Sequence, residues 1–284
     1  MTAARHAILR ILWGPLAAQR RIIPAGEVLR VGRTDRCHLA LAQDAQMSAA
    51  HFEITWDGVS CRVRDLDSAR GTLLGGARVS EAEVPNGGWI RAGDTHFRLY
   101  LEAHTPPPGD EQEIVASLGA EKEAALSLLR REAEQAPLFA LVDASRSHRA
   151  LQILHESIDE ERSLYDGIKG EALAGVAPHL VTLDRRSDLL DRLVREGWGR
   201  RWMIFFTSAR PPREVRRHLR RFLLVEDDDN GRRLYFRYHD PRVLRVFLPA
   251  CTPRQRQDFF GEIQCFIVEG ERAEPVRFTP DPGG

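Results

Sequence analysis

Thr105-Pro106-Pro107-Pro108-Gly109 divides the 284-residue chain into two unlike regions. Three consecutive prolines fix φ, remove amide donors and halt any helix or strand. Before this break the sequence consists of short runs rich in Val, Ile, Leu and aromatic residues, cut by Gly, Asp and Asn, at residues 7–13, 28–31, 51–56, 60–65, 89–91 and 95–101. Many short strands at this spacing predict an all-β sandwich or barrel over residues 1–104. After the break, Ile114, Leu118, Ala125 and Leu129 recur at helical spacing. Residues 105–136 therefore read as a Pro-rich linker followed by an amphipathic helix over 111–135, ended by Pro137.

Beyond Pro137 the pattern alternates. Strand-like runs at 138–142, 179–183 and 202–207 are interleaved with helical spacing at 150–158, 187–196 and 214–221. That alternation predicts an α/β domain over 137–270. Asn230-Gly231 marks a hairpin turn between 222–225 and 233–238. Residues 271–284, with three prolines and a Gly-Gly end, are expected to be a flexible tail. The fold class is thus multidomain, an N-terminal all-β sandwich joined to a C-terminal α/β domain.

Composition removes several classes of function. The chain has 41 Lys plus Arg and 41 Asp plus Glu, so its formal net charge is 0 and neither nucleic acid nor a membrane surface is indicated as a partner. No run approaches the ~20 apolar residues of a spanning helix, and Met1 to Pro15 lacks the apolar core of a signal peptide. A cytoplasmic location is expected. Cys37, Cys61, Cys251 and Cys265 contain no C-x-x-C pair and read as reduced, mostly buried thiols. No G-x-S-x-G, H-E-x-x-H or P-loop string occurs, and the histidines show no metal-ligand spacing. His239-Asp240 are neighbours whose side chains point apart, and Glu226 to Arg237 lacks the closing glutamate of a calcium loop. No catalytic residue, metal or cofactor is expected. The arginines at 210, 213, 216, 217, 220 and 221 make a basic helix face, suited to solvent or an acidic partner protein.

Two sets of motifs remain. Val31-Gly32-Arg33, Ser48-Ala49-Ala50-His51, Asp65-Leu66-Asp67-Ser68-Ala69-Arg70-Gly71-Thr72 and Gly75-Gly76 follow in order. Over residues 8–101 this succession resembles the forkhead-associated (FHA) domain, a β-sandwich whose end loops bind phosphothreonine peptides. The resemblance implies that Arg33 and Ser48 contact phosphate, that Gly32, His51 and Gly71 are structural, and that His51 braces the loop carrying Ser48. A guanidinium fork matches phosphate oxygens bidentately and a hydroxyl adds one hydrogen bond. The sequence departs from the family at Ala49 and at Ala69-Arg70-Gly71, where Thr-Asn-Gly is usual. Arg70 either supplies a second cation to the phosphate or fills the groove of a domain that no longer reads phosphothreonine. Thr105 and Thr279, each before proline, are candidate phosphoacceptors in cis.

The second set lies beyond Pro137. It comprises Leu138-Phe139-Ala140-Leu141-Val142-Asp143-Ala144, Ser163-Leu164-Tyr165-Asp166-Gly167, Ala177-Pro178-His179-Leu180-Val181, Gly197-Trp198-Gly199, His218-Leu219-Arg220-Arg221-Phe222 and Phe236-Arg237-Tyr238-His239-Asp240-Pro241-Arg242-Val243-Leu244. Over residues 138–268 this succession is similar to the bacterial type VI secretion effector chaperone, or adaptor, family, long described as a domain of unknown function. The signature residues are Tyr165, Gly167, Pro178, Arg237, Tyr238, Asp240, Pro241 and Arg242. The resemblance implies a non-enzymatic adaptor that holds a secreted toxin effector and helps load it onto a VgrG-type spike protein. Arg237, Tyr238, Asp240 and Arg242 either tie a strand end to the following helix by charge-assisted hydrogen bonds or contact the effector directly. The alternative overall reading is a phosphothreonine-dependent signalling scaffold acting through the FHA-like module.

Overall fold

Along β1 (His6–Trp13), Ala7, Leu9 and Ile11 alternate into one apolar core, the period of two that a strand imposes. The computed structural model describes residues 6–106, 118–165, 177–184, 188–226 and 233–281. The chain separates into two units, one of Met1–Pro106 with His155–Ile158 and the other of Pro107–Leu154 with Asp159–Gly284.

In the first unit β1 is followed by β2 (Arg20–Pro24), β3 (Val28–Gly32), β4 (Leu39–Ala40), β5 (Phe52–Trp56) and β6 (Cys61–Asp65). Then come β7 (Thr72–Leu74), β8 (Ala77–Val79), β9 (Glu81–Glu83), β10 (Trp89–Ala92) and β11 (Thr95–Leu101). They form two sheets, ordered β2-β1-β11-β10-β7-β8 and β4-β3-β5-β6-β9, with only β3 and β4 parallel. Leu9, Ile11, Phe97 and Leu99 from one sheet meet Phe52, Ile54, Trp56 and Val63 from the other. Phe52 and Phe97 pack edge to face at 5.4 Å between ring centroids. This is the all-β sandwich the short apolar runs predict.

The second unit opens with α1 (Gly119–Gln135), β12 (Leu138–Asp143), α2 (His148–His155), β13 (Glu161–Ser163), β14 (Pro178–Leu183) and α3 (Leu189–Gly197). It continues through β15 (Met203–Ser208), α4 (Pro212–Arg220), β16 (Leu224–Glu226), β17 (Arg233–Tyr235), α5 (Pro241–Ala250), α6 (Pro253–Phe260), β18 (Ile263–Glu269) and β19 (Pro275–Phe278). Its main sheet has the order β13-β14-β12-β15-β18-β19. Every neighbouring pair is antiparallel, and helices pack on the strands from both sides. Alternation orders the elements but does not set strand direction. Because β12 lies antiparallel to both β14 and β15, those two run parallel to each other, and α3 joins them as a crossover split by β12.

Both faces of this sheet are covered, so its central strands are continuous apolar runs. Leu138, Ala140 and Val142 of β12 face one layer with Leu126 and Leu129 of α1, Ile153 of α2 and Leu193 of α3. Phe139 and Leu141 face the other with Leu219 of α4, Leu244 of α5 and Phe259 of α6. Two expectations are corrected. The helix placed in the linker starts at Gly119 and packs on β12, β15, β19 and α3, so it belongs to the second unit's core, while residues 107–117 lie outside the described residues. The tail expected to be flexible instead contains β19, whose backbone pairs with β18 from Phe266↔Phe278 to Glu269↔Pro275. The Asn230-Gly231 turn lies outside the described residues. Among the described residues no helix is long and apolar enough to cross a membrane.

Candidate functional site

At the end of β3 the chain passes from Gly32 to Arg33, and the neighbouring loop 48–51 lies directly against it. A Cβ on Gly32 would overlap the Ala49 carbonyl oxygen and come within 2.7 Å of Cys37 Sγ, so only glycine permits this approach. Three backbone hydrogen bonds clamp the two segments: Arg33 N–H to Ser48 O at 2.9 Å, Thr34 N–H to Ala49 O at 3.3 Å and His51 N–H to Val31 O at 2.9 Å. The fully buried His51 ring then joins this loop to the next. Its Nδ1 accepts from Ser48 N–H at 3.1 Å, which leaves Nε2 to donate toward Gly71 O at 3.3 Å. His51 is therefore a brace between two loops.

The third loop follows β6. Asp65 accepts from Ser68 Oγ and Thr72 Oγ1, both at 2.6 Å, and from Ser68 N–H at 3.0 Å. Burial pushes the Asp65 carboxyl up, but the hydrogen bonds from Ser68 and Thr72 outweigh it and hold the group below the usual carboxylate range. Gly71 closes the loop at φ +76, a left-handed conformation that disfavours a side chain. Ala69 N–H donates to Ser48 Oγ at 3.0 Å, leaving the serine proton free to donate elsewhere.

Arg33, Ser48 and Arg70 are thus brought together. Arg33 is linked to Ser48 through the backbone, and Arg70 follows the residue whose amide holds the Ser48 hydroxyl. Arg33 and Arg70 are both exposed. Two exposed arginines on the loops that border a donor hydroxyl suit a group with several anionic oxygens. Of the candidate phosphoacceptors, Thr105 has its hydroxyl engaged, donating to Glu156 Oε1 at 2.6 Å within the first unit. A phosphate on Thr105 would face that carboxylate. Thr279 is half-buried, and its hydroxyl donates to Asp281 O at 2.5 Å.

The second unit treats its signature residues differently. Asp240 caps the N-terminus of α5, accepting from Arg242 N–H at 3.0 Å, with Pro241 at the first helical position. Its carboxylate also pairs with Arg242 Nη2 at 2.7 Å and with Arg146. Burial raises the Asp240 carboxyl, yet the hydrogen bonds and charges of Arg242 and Arg146 dominate and bring it down to about 2. Tyr238, fully buried, donates its hydroxyl to Leu219 O at 2.8 Å. Arg237 donates to Asp143 Oδ2 at 2.5 Å, at the end of β12. The signature therefore ties the start of α5 to β12 and α4. It does not tie the strand that precedes it, since β17 ends at Tyr235.

His239 has Asp143, not its neighbour Asp240, as its closest charged contact, with Nε2 3.6 Å from Asp143 Oδ2. Burial pushes this imidazole down to about 4 despite the nearby Asp143. Ser145 Oγ also donates to Asp143, at 2.6 Å, so serine and histidine share the carboxylate, and the serine proton is directed to Asp143 rather than to a base. Asp143 closes one of the quoted strings without being named among the signature residues, and Arg146 lies in none of them. The only cue was a single acid closing an apolar strand. Among the other signature residues, Tyr165 packs edge-on to Tyr235 at 6.1 Å and its carbonyl accepts from Arg216 Nη2 at 3.0 Å. Pro178 opens β14 and its carbonyl accepts from Leu164 N–H at 2.8 Å. Gly167 lies outside the described residues. Part of the basic row on and before α4 is used internally, because Arg216 of the helix also reaches Ser163 O at 2.7 Å and Arg210, ahead of it, pairs with Glu262 at 3.2 Å. Among the described residues no three His, Cys, Asp or Glu side chains are grouped to hold a metal ion.

Comparison with known proteins places families on both regions. Residues 29–93 match the model of the FHA domain, and residues 138–258 match that of DUF4123, a domain of unknown function. Among solved structures, the FHA domain of an Arabidopsis thaliana hypothetical protein is 26% identical, with 38% of this chain and 93% of that one covered and a TM-score of 0.34. The FHA domain of CT664 from Chlamydia trachomatis is 20% identical, with 34% and 96% covered and a TM-score of 0.32. Mycobacterium tuberculosis EmbR in complex with a low affinity phosphopeptide is 24% identical, with 36% and 26% covered and a TM-score of 0.31. No curated protein matches the chain. The N-terminal region carries an FHA domain, and the C-terminal region carries DUF4123.

Proposed function

We propose that the protein is a non-enzymatic adaptor whose FHA domain docks a phosphothreonine-bearing protein and whose DUF4123 domain holds a type VI secretion effector for loading onto a VgrG-type spike. The observation that carries the docking half is the exposed guanidinium of Arg33 next to Ser48, on loops fixed by Gly32 and His51. The exposed Arg70 favours phosphate capture with a second cation over the reading in which that residue fills the groove. Support for the chaperone half is the DUF4123 match over the residues whose order resembles the effector chaperone family. The pairing of Arg237 with Asp143 and of Asp240 with Arg242 favours a stabilising role for that signature over effector contact.

Affinity capture from the native bacterium with tagged full-length protein and tagged Arg33→Ala tests both halves. A toxin and a spike protein recovered with both baits support the adaptor. Their loss with Arg33→Ala or after phosphatase treatment makes the chain a phospho-dependent scaffold. Recovery of neither with either bait overturns the chaperone half.

A further inference from the structure

Glu214, Arg217, His218 and Arg221 stand at i, i+3, i+4 and i+7, the spacing that brings side chains onto one face of a helix. They lie along α4 and the residue that caps its C-terminus, and they share a cavity with the turn between α6 and β18. The cavity measures about 430 Å³, within the size range of ligand sites, and Val215 and Ile263 form its apolar part. Gly261, the residue after α6, lets the turn come this close to the helix. Its φ is +51, and a Cβ there would stand 2.6 Å from His218 Cε1.

The charges in this cavity do not cancel. Arg210 takes both carboxylates, Glu262 at 3.2 Å and Glu214 at 3.9 Å. Arg217 is exposed and has no ion pair or hydrogen bond among the described residues. His218 Nε2 donates to Phe259 O at 2.8 Å, which leaves Nδ1 to accept from Arg221 Nη2 at 2.8 Å. The imidazole thereby holds the Arg221 guanidinium at the cavity. Burial pushes His218 down, the bond to Phe259 O draws it up, and Arg221 adds to the fall, so the ring stays uncharged at neutral pH. Arg217 and Arg221 are one helical turn apart and repel each other. With three arginines against two glutamates, the cavity has an excess of one positive charge.

We infer that this cavity binds a carboxylate joined to a short aliphatic body, supplied by the last residue of a polypeptide or by a free carboxylic acid. Residues one turn apart on a helix are about 6 Å apart at Cβ, a gap that one carboxylate bridges by accepting from both guanidinium groups. Binding removes the repulsion between Arg217 and Arg221. The single charge of a carboxylate matches the excess in the cavity, whereas a dianionic phosphate would be repelled by Glu214 and Glu262. Val215 and Ile263 meet the aliphatic part of the ligand. The site stands whether or not Arg33 captures phosphothreonine.

The test is calorimetric titration of the full-length protein with two carboxylates, an N-acetylated hexapeptide ending in leucine and isocaproate, with the amide of each, and with inorganic phosphate. At least one carboxylate is expected to bind about tenfold more tightly than its amide, and the one that does so identifies the source of the ligand. Arg217→Gln, an exposed change that leaves the His218 contacts in place, is expected to remove most of that difference. Arg213→Gln, on the same helix but outside the cavity, is expected to preserve it. A difference below twofold for both carboxylates, a difference that survives Arg217→Gln, or phosphate binding more tightly than both carboxylates overturns the site.

Discussion

Arg33 in the first unit and Arg237 in the second each sit near a serine hydroxyl, and they are used in opposite ways. Arg33 is exposed beside Ser48, and its backbone alone is anchored. Arg237 is committed to Asp143 at 2.5 Å, and the same carboxylate holds Ser145 and lies against His239. A guanidinium left in water costs the fold nothing and keeps its donors for a ligand. One that neutralises a buried acid is part of the fold, and a ligand would have to displace that acid. The contrast separates a surface that recognises from a cluster that supports.

The most severe way to break the comparison is to remove the shared acid. Asp143→Ala leaves Arg237 and the buried His239 without their carboxylate and frees the Ser145 hydroxyl. The expected loss is about 3 kcal/mol from the second unit alone. Hydrogen exchange in urea checks it, with peptides from β12, β14 and α5 losing protection and those from β5 and β6 unchanged. Equal loss in both units would mean that Asp143 is not a local support. Arg33→Ala is the converse experiment. It is expected to weaken phosphothreonine peptide binding about a hundredfold, or about 2.7 kcal/mol, with unfolding free energy within about 0.5 kcal/mol of the parent. A stability change as large as the binding change would place Arg33 in the fold rather than in recognition.

How much of each region could be read beforehand follows from the same difference. Gly32, Arg33, Ser48, His51 and Gly71 are legible because each backbone or side-chain requirement leaves a short local string: glycine at a close approach, a hydroxyl and a histidine three residues apart, a glycine at positive φ. The β-sandwich is legible because half-buried strands alternate. The second unit is harder, since its sheet is buried on both faces and continuous apolar runs such as 138–142 carry no directional information. Alternation therefore orders the elements of this unit, while the antiparallel direction of its neighbours comes only from strand pairing. The partners of the signature, Asp143 and Arg146, stand 94 residues from Arg237 and Asp240. No local pattern joins residues so far apart.

Acid sharpens the comparison further, because the second unit contains a histidine pushed down to about 4. His239 binds its proton less readily folded than unfolded. Its contribution to stability is present above the ordinary value of 6.5 and is lost as pH falls toward about 4. Between pH 7 and pH 5 His239 by itself is expected to cost the second unit about 2 kcal/mol, against an opposite contribution from Glu269, whose carboxyl burial pushes up to about 7. Thermal unfolding across that range checks it, with His239→Gln expected to gain about 2 kcal/mol relative to the parent as pH falls. An unchanged slope in that variant would move the acid sensitivity to another group.

The smallest effect tests how the first unit manages without the usual asparagine. Arg70→Asn exchanges a long cation for a short amide able to hydrogen-bond a peptide backbone. Because Arg70 is exposed, the substitution removes charge rather than packing. Its attraction for phosphate acts through water, where screening shortens the range to about 8 Å at physiological salt and about 3 Å at 1 M. Binding of a neutral-flanked phosphothreonine peptide is expected to weaken about threefold at low salt, with the difference closing near 1 M as screening removes the cation's share. Affinity that instead rises at every salt concentration would mean that Arg70 obstructs the groove. The charge surrounding Arg33 would then be an obstacle to phosphothreonine rather than a second hold on it.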